Sequence, residues 1–436
     1  MKVVVIGGGA AGMTAASRIK ALKQDWNVTV FEETDFVSHA PCGIPYLMEG
    51  IVKSVYDLMY YKPEFFREKR GIDLHTNAKV LEAGKGYVRV LEKGEEKNYE
   101  WEKLIVATGA LPKVPKVDGI DLENVFTVRH PATSRKLLES LEKAEKILIV
   151  GAGYLGVEMA EACAARGKKV TVVEALDQPL TNLDKEVSEV VRKEMEKYVD
   201  LKLNEKLQAI EGKDKVEKVV TDKNEYKADL VFIAVGVRPN VELAKDLGCE
   251  IGKTGAIKTD SKMRTSLENV FAAGDCAETV HFITKKPTWI PLAPAANKMG
   301  YVAGLNTVGG NLDFPGTLGT QFTKFFELEI GSTGLSERTA KAEGFEVKTT
   351  FIEASTRVPY YPGGKRIWLK VVADKRGKLL GAQAVGSEVA MRINTLSVMI
   401  QAGFSAKDAF FSDLGYAPPL TPIWDPVIVA ARNLRF

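Results

Sequence analysis

The sequence predicts an α/β chain with two Rossmann-like dinucleotide-binding units, followed by a separate C-terminal α+β domain. Three observations predict it. A strand, glycine turn, helix, strand pattern occurs twice, about 145 residues apart. Short apolar runs ending in glycine return the chain to each unit, and the texture changes near residue 318. At 436 residues the chain is too long for one ordinary core and suits several domains.

The first copy starts with the apolar run 2–6 and the turn Gly7-Gly8-Gly9-Ala10-Ala11-Gly12. A helix to about Lys23 and a strand ending at Glu32 follow. The second copy has a strand at 147–150, the turn Gly151-Ala152-Gly153-Tyr154-Leu155-Gly156, a helix to about Arg166 and a strand ending at Glu174. Three more strand-then-glycine pieces end at Gly109, Gly236 and Gly274-Asp275. The expected division is a first nucleotide domain of 1–112 plus 244–317, a second inserted at 113–243, and a third domain at 318–436.

A glycine turn at a helix N-terminus suits a pyrophosphate. The first glycine allows the tight turn, the second lets phosphate approach backbone, and the third lets helix pack on strand. One such turn is weak evidence. Two, each after a strand and each with an acid 20 or 18 positions on (Glu32, Glu174), point to two bound nucleotides. Glu174 would accept ribose hydroxyls and repel a 2′-phosphate, and Ala175-Leu176-Asp177-Gln178 supplies no arginine to hold one. NADH is therefore expected over NADPH.

The bulk numbers exclude other classes. Sixty basic and 57 acidic residues leave a net charge of +3, too balanced for a nucleic-acid or anionic-membrane partner. No apolar run approaches the ~20 residues of a membrane span. The N-terminus runs straight into a strand, with no room for a signal peptide, so a cytoplasmic enzyme is expected. Four cysteines without a CxxC pair make no disulfide framework, and four scattered histidines show no metal-ligand spacing, so no metal is expected.

The segment Ser38-His39-Ala40-Pro41-Cys42-Gly43-Ile44-Pro45-Tyr46 follows the first unit. With the two glycine turns, Ala107-Thr108-Gly109 and Gly274-Asp275, the whole chain resembles the flavoprotein disulfide reductase superfamily. The branch it resembles has a single cysteine and contains coenzyme A-disulfide reductases, NADH oxidases, NADH peroxidases and archaeal NAD(P)H sulfur reductases. Two-cysteine members carry CxxxxC, whereas Leu47 stands five positions after Cys42 here. Cys42 must therefore exchange with sulfur or oxygen from outside its segment. A lone cysteine is commonly an inert core thiol. Between Pro41 and Pro45, beside a flavin unit, Cys42 is read as redox-active. Ala10 stands where peroxidases have a histidine, which argues against that activity. Cys163, Cys249 and Cys276 are read as core, loop and near-flavin thiols without catalytic roles, and His39 as either a proton carrier or packing.

The resemblance implies FAD on Gly7, Gly9, Ala11, Gly12, Glu32, Val80, Ala107, Thr108, Gly109, Gly274 and Asp275. It implies NAD(P)H on Gly151, Gly153, Tyr154, Leu155, Gly156, Glu174 and Gly236. Coenzyme A, as substrate or bound ligand, would meet Thr14, Arg18, Ser38, Arg70 and Asn297. Thr14 and Arg18 share a helix face at i, i+4, and Arg67, Lys69 and Arg70 form a second basic group; the alternative for both is a solvated face. The third domain would be a dimerisation domain, making a homodimer or a dimer of dimers. Its Tyr416 and Tyr361 would reach Cys42 of the other subunit, with Tyr360 an equal match to Tyr361; the alternative is aromatic packing at the interface. Electrons would pass from NAD(P)H through FAD and Cys42 to coenzyme A disulfide, coenzyme A persulfide or polysulfide. Oxygen is the alternative acceptor, and a flavin-bearing NADH sensor a third reading. A flavin and a helix N-terminus are both expected to lower the Cys42 pKa.

Overall fold

Val3, Val4, Val5 and Ile6 are all buried, so the first strand has no polar face and needs cover on both sides. In the computed structural model, which describes residues 1–435, it lies at the centre of a parallel five-stranded sheet. The spatial order is Val270–Ala272, Lys103–Val106, Lys2–Ile6, Asn27–Phe31, Asp73–His75. The second copy builds a parallel sheet of the same order: Val125–Thr127, Leu230–Ile233, Lys146–Val150, Lys169–Glu174, Asp200–Leu203. One difference separates them. The outer strand beside the crossover comes last in the chain in the first sheet and first in the second.

Each unit also carries a three-stranded antiparallel meander that the sequence reading did not resolve. One is Ala78–Gly84, Tyr87–Glu92 and Glu95–Glu100; the other is Leu207–Glu211, Lys218–Thr221 and Glu225–Lys227. Where the chain passes between units, Ala110–Pro112 pairs antiparallel with Val237–Pro239.

The C-terminal sheet is antiparallel, in the order Gln321–Phe325, Leu328–Gly334, Leu379–Gly386, Arg366–Asp374, Val347–Ser355. Leu379–Gly386 is buried along its whole length and packs against the helix Val389–Gln401. The predicted class, two nucleotide sheets plus a C-terminal α+β domain, is the one observed.

Two packing features position the site. The helices Ala10–Leu22 and Ala293–Thr307 cross with almost no side chain between them. A Cβ on Gly300 would stand 2.3 Å from the Ala11 carbonyl, and one on Gly304 2.6 Å from that of Ala15. The C-terminal domain grips the second unit through Lys370, which is 1% exposed. Its ammonium meets Asp184 at 3.2 Å, Glu186 at 2.5 Å and Glu337 at 2.6 Å. A charge so buried is stable only when paired. Among the described residues, no helix is long and apolar enough to cross a membrane.

Candidate active site

The two glycine turns have one geometry. Gly7 and Gly151 lie in the left-handed region, at φ +105° and +104°. A Cβ on Gly12 would fall 1.9 Å from the Gly7 carbonyl, and one on Gly156 2.0 Å from that of Gly151. Gly9 and Gly153 have nothing within 4 Å. First and third glycines are thus closed in by backbone, while the middle one borders open space. Neither following helix, Ala10–Leu22 or Tyr154–Ala165, has a side-chain cap, so its leading N–H groups are left for a ligand. These turns fit a dinucleotide diphosphate.

The acids also act in parallel. Glu32 accepts from Gly8 N–H at 2.9 Å and from Thr34 N–H at 2.9 Å; Glu174 accepts from Ala152 N–H at 2.7 Å and Leu176 N–H at 3.0 Å. Each carboxylate therefore pins its own glycine turn to the next loop. Burial pushes the Glu32 carboxyl above its usual range, while the hydrogen bonds from Gly8 and Thr34 pull it back.

A cleft of about 1090 Å³ runs from the first turn to Cys42. Of the residues the sequence singled out, it is lined by Gly7, Gly9, Ala11, Glu32, Val80, Ala107, Thr108, Gly109, Gly274 and Asp275. Thr14, Arg18, Ser38, Arg70 and Asn297 line the same cleft. Gly12 lies beneath it, Gly236 outside its lining, and the Gly151 turn belongs to the other sheet. Arg67 does not join Arg70 as a basic pair. Its guanidinium donates to the Leu74 carbonyl at 3.0 Å and to Thr76 Oγ1, from the π-helix Phe65–Lys69. Lys69 is not part of the lining either. A second hollow of about 740 Å³ lies along the edge strand Val270–Ala272, where the charges are paired, as in Arg264–Asp260 and Lys258–Glu250. It holds no thiol.

The helix crossing sets the far wall. Thr14 Oγ1 donates to Asn297 Oδ1 at 2.9 Å, and the Arg18 guanidinium lies over the Tyr301 ring at 4.6 Å. Arg70 lies over Phe65 at 5.4 Å, and Phe65 stacks on Tyr61 with ring centroids 4.4 Å apart. Cation, amide and aromatic groups therefore share one wall.

Cys42 sits in the turn Pro41–Gly43, ahead of the short helix Ile44–Glu49, and is exposed to the cleft. The expected lowering of its pKa is reversed in the chain itself. Desolvation by the surrounding cleft wall pushes the thiol up, Glu158 pushes it further, and Arg129 pulls it down. Arg129 reaches from the second unit to Asp275, Nη2 to Oδ2 at 2.6 Å. Glu158, on the helix Tyr154–Ala165, accepts from Thr323 Oγ1 at 2.9 Å, and burial raises its carboxyl to about 7. His39 packs its ring 4.4 Å from that of His130, and burial holds it down to about 3, so it stays neutral. Its Nδ1 is buried without a hydrogen-bond partner among the described residues. Cys163, Cys249 and Cys276 are buried, and burial raises all three, Cys163 to about 12. Cys276 packs its thiol on the Val106 carbonyl at 3.4 Å rather than entering the cleft lining.

Tyr360, Tyr361 and Tyr416 lie outside the cleft of their own chain. Tyr416 and Tyr360 share a hydroxyl hydrogen bond of 2.9 Å, whereas Tyr361 makes a turn contact, its N–H on the Val358 carbonyl at 3.1 Å. Tyr360, not Tyr361, is the partner of Tyr416. The Tyr416 phenol is raised first by that hydrogen bond and so holds its proton. Sequence reading missed Arg129 and Glu158, for which no local signal exists. It also missed Tyr301, whose spacing of four from Asn297 repeats that of Thr14 and Arg18. Among the described residues no group of His, Cys, Asp and Glu is placed to hold a metal.

Two glycine-turn cradles of one geometry, the first sharing a cleft with an exposed cysteine, define the class of a flavin- and pyridine-nucleotide-linked oxidoreductase. The chain belongs to the pyridine nucleotide-disulphide oxidoreductases: that family's description matches residues 1–300, and its dimerisation domain matches 320–426. It is 57% identical to an NAD(P)H coenzyme A polysulfide/persulfide reductase of Pyrococcus horikoshii, over 100% of this chain and 98% of the relative. It is 39% identical to an NADH oxidase of Methanocaldococcus jannaschii, over 99% and 98%. The structure of an NAD-dependent persulfide reductase from A. fulgidus is similar at a TM-score of 0.96 and 39% identity, over 99% of this chain and 82% of that one. A water-forming NADH oxidase from Lactobacillus brevis bound to NADH gives 0.95 and 30%, over 99% and 98%.

The Glu158 charge gives a test. Above about pH 7 it is anionic and opposes a Cys42 thiolate; Glu158→Gln removes that opposition. The pH midpoint for Cys42 alkylation by iodoacetamide is expected to move down in the variant. An unchanged or higher midpoint would refute the coupling.

Proposed function

We propose that the protein passes electrons from NADH through FAD and Cys42 to a disulfide or persulfide of coenzyme A, or to polysulfide. The observation that carries this is the shared cleft. Cys42, the first glycine turn and the Thr14, Arg18, Ser38, Arg70 and Asn297 wall face one space. Coenzyme A offers phosphates for Arg18 and Arg70, polar groups for Thr14 and Asn297, and an adenine for the aromatic wall. Oxygen is the second acceptor, supported by the 39% identity to an NADH oxidase. FAD, bound on the first turn, would supply two-electron transfer between nicotinamide and sulfur.

The chain's own residues do the rest. The Cys42 thiolate attacks the substrate disulfide, displacing one coenzyme A thiolate and leaving a Cys42–coenzyme A mixed disulfide. Two electrons cleave that bond, returning the Cys42 thiolate and releasing a second coenzyme A thiolate; the two coenzyme A thiolates each take one proton. With a persulfide the products are coenzyme A thiol and sulfide. Tyr416, holding its proton through Tyr360, is the acid for a departing thiolate in the partner subunit's site. Both tyrosines are exposed in the single chain, and the apolar Leu420, Ile423 and Trp424 beside Tyr416 are exposed with it. A two-fold dimer would cover them. Four free cysteines and no disulfide suit the cytoplasm. The division at 112/113, 243/244 and 317/318 places the sheet pairing of Ala110–Pro112 and Val237–Pro239 at the two crossings between units.

Cys42→Ser should retain FAD and be reduced by NADH at the wild-type rate, yet lose nearly all reduction of coenzyme A disulfide. Wild-type turnover of that disulfide by the variant would end the thiol mechanism. If oxygen consumption alone survives and wild-type enzyme shows no disulfide or polysulfide turnover, the oxidase reading takes over.

Nucleotide preference tests Glu174. Glu174→Ala combined with Ala175→Arg should shift kcat/KM towards NADPH by at least about tenfold, or about 1.4 kcal/mol. A wild-type enzyme already favouring NADPH would overturn the assignment.

Subunit exchange tests the shared site. Tyr416→Phe should lower disulfide turnover on the order of 10²-fold, the scale of a general acid. Mixed with Cys42→Ser, it forms heterodimers with one intact site, so activity should recover towards half of wild type. No recovery after proven exchange means that each chain builds its site alone.

A further inference from the structure

Tyr360 and Tyr416 sit on separate irregular segments, yet their hydroxyls are 2.9 Å apart. The first segment joins the strands Val347–Ser355 and Arg366–Asp374; the second precedes the helix Pro426–Asn433. Segments of this kind need an anchor to hold two phenols in register. Between the two segments in the chain lies Arg392, on the helix Val389–Gln401 and 1% exposed.

The Arg392 guanidinium uses all three nitrogens. Nε and Nη2 donate to Asp425 Oδ2 at 3.2 and 3.0 Å, and Nη1 donates to Glu388 Oε2 at 2.8 Å and to the Glu388 carbonyl at 3.1 Å. Asp425 is the N-cap of Pro426–Asn433, taking Val427 N–H at 2.9 Å, and so fixes the end of the Tyr416 segment. The other carboxylate oxygen of Glu388 faces the Arg357 guanidinium at 3.8 Å, and Arg357 Nη1 donates to the Pro362 carbonyl at 3.3 Å, across the Tyr360 turn. Glu388 has a φ of +56°, a conformation that a non-glycine residue keeps only when its surroundings hold it. Here Arg392 bonds both its carbonyl and its carboxylate.

We infer that Arg392 is a positioning residue for acceptor reduction: through Asp425 on one side and Glu388–Arg357 on the other, it holds the Tyr416 and Tyr360 hydroxyls together. Arg392 touches neither cleft nor cysteine and acts only through the two phenols. The inference rests on the proposed role of the tyrosines at the partner subunit's Cys42. The planar guanidinium fixes the directions of its bonds to Asp425 and Glu388, a geometry that a lysine ammonium does not reproduce.

The test uses the FAD-loaded dimer of Arg392→Lys, with Glu388→Gln as the milder variant that keeps the Asp425 pair. Flavin reduction by NADH and the KM for NADH and coenzyme A disulfide should match wild type, while kcat for the disulfide falls at least about tenfold in Arg392→Lys and less in Glu388→Gln. The decisive comparison is Arg392→Lys/Tyr416→Phe. If Arg392 works through the phenols, the double variant is no slower than Tyr416→Phe alone. Wild-type kcat in Arg392→Lys, or multiplied losses in the double variant, would overturn the inference. Should Arg392→Lys fail to fold, Glu388→Gln with and without Tyr416→Phe decides in the same way. Wild-type turnover by Tyr416→Phe would sink the tyrosine reading and this inference with it. An impaired Tyr416→Phe beside fully active Arg392→Lys and Glu388→Gln sinks the inference alone.

Discussion

Two helices from opposite ends of the first nucleotide unit, Ala10–Leu22 and Ala293–Thr307, touch backbone to backbone at Gly300 and Gly304. Any side chain at either glycine would collide with the carbonyl of Ala11 or Ala15. This contact brings Asn297 onto Thr14 and Tyr301 under Arg18. It also seats Gly274 against Ala11, next to the first glycine turn. The Thr14–Arg18 wall and the first glycine turn are consequently faces of one helix crossing, and a separation there would disturb both.

The parts that were legible in the sequence are those governed by local rules. A strand, a left-handed glycine and an uncapped helix must follow one another within a few residues, so both turns and both acids could be read directly. The Thr14 and Arg18 spacing was legible for the same reason. Groups brought together by the chain's long excursions were not. Arg129 meets Asp275 only because the inserted unit folds back over the first, and Glu158 reaches the Cys42 environment from a helix more than a hundred residues away. Nor does any local rule show that the Tyr360 hydroxyl bonds to that of Tyr416, 56 residues away. Arg67 is held apart from the cleft by the Leu74 carbonyl and Thr76, contacts that no local spacing announces.

Cys42 is surrounded by contributions of opposite sign from different parts of the chain. Arg129 favours its anion, Glu158 and Asp275 oppose it, and desolvation outweighs each of them. A thiol held protonated is a poor nucleophile and a poor target for stray oxidants. The other three thiols are buried.

The paired hydrogen bonds on Glu174 bear on how sharply two nucleotides can be told apart. Ala152 and Leu176 hold its two oxygens from different sides, so the carboxylate is already ordered when a nucleotide arrives. Ordering it costs nothing further at binding, which favours a ribose that hydrogen-bonds to it. The same immobility removes an escape route. A flexible acid could swing into solvent and tolerate an extra phosphate, whereas this one must either lose two backbone hydrogen bonds or face the second charge at close range.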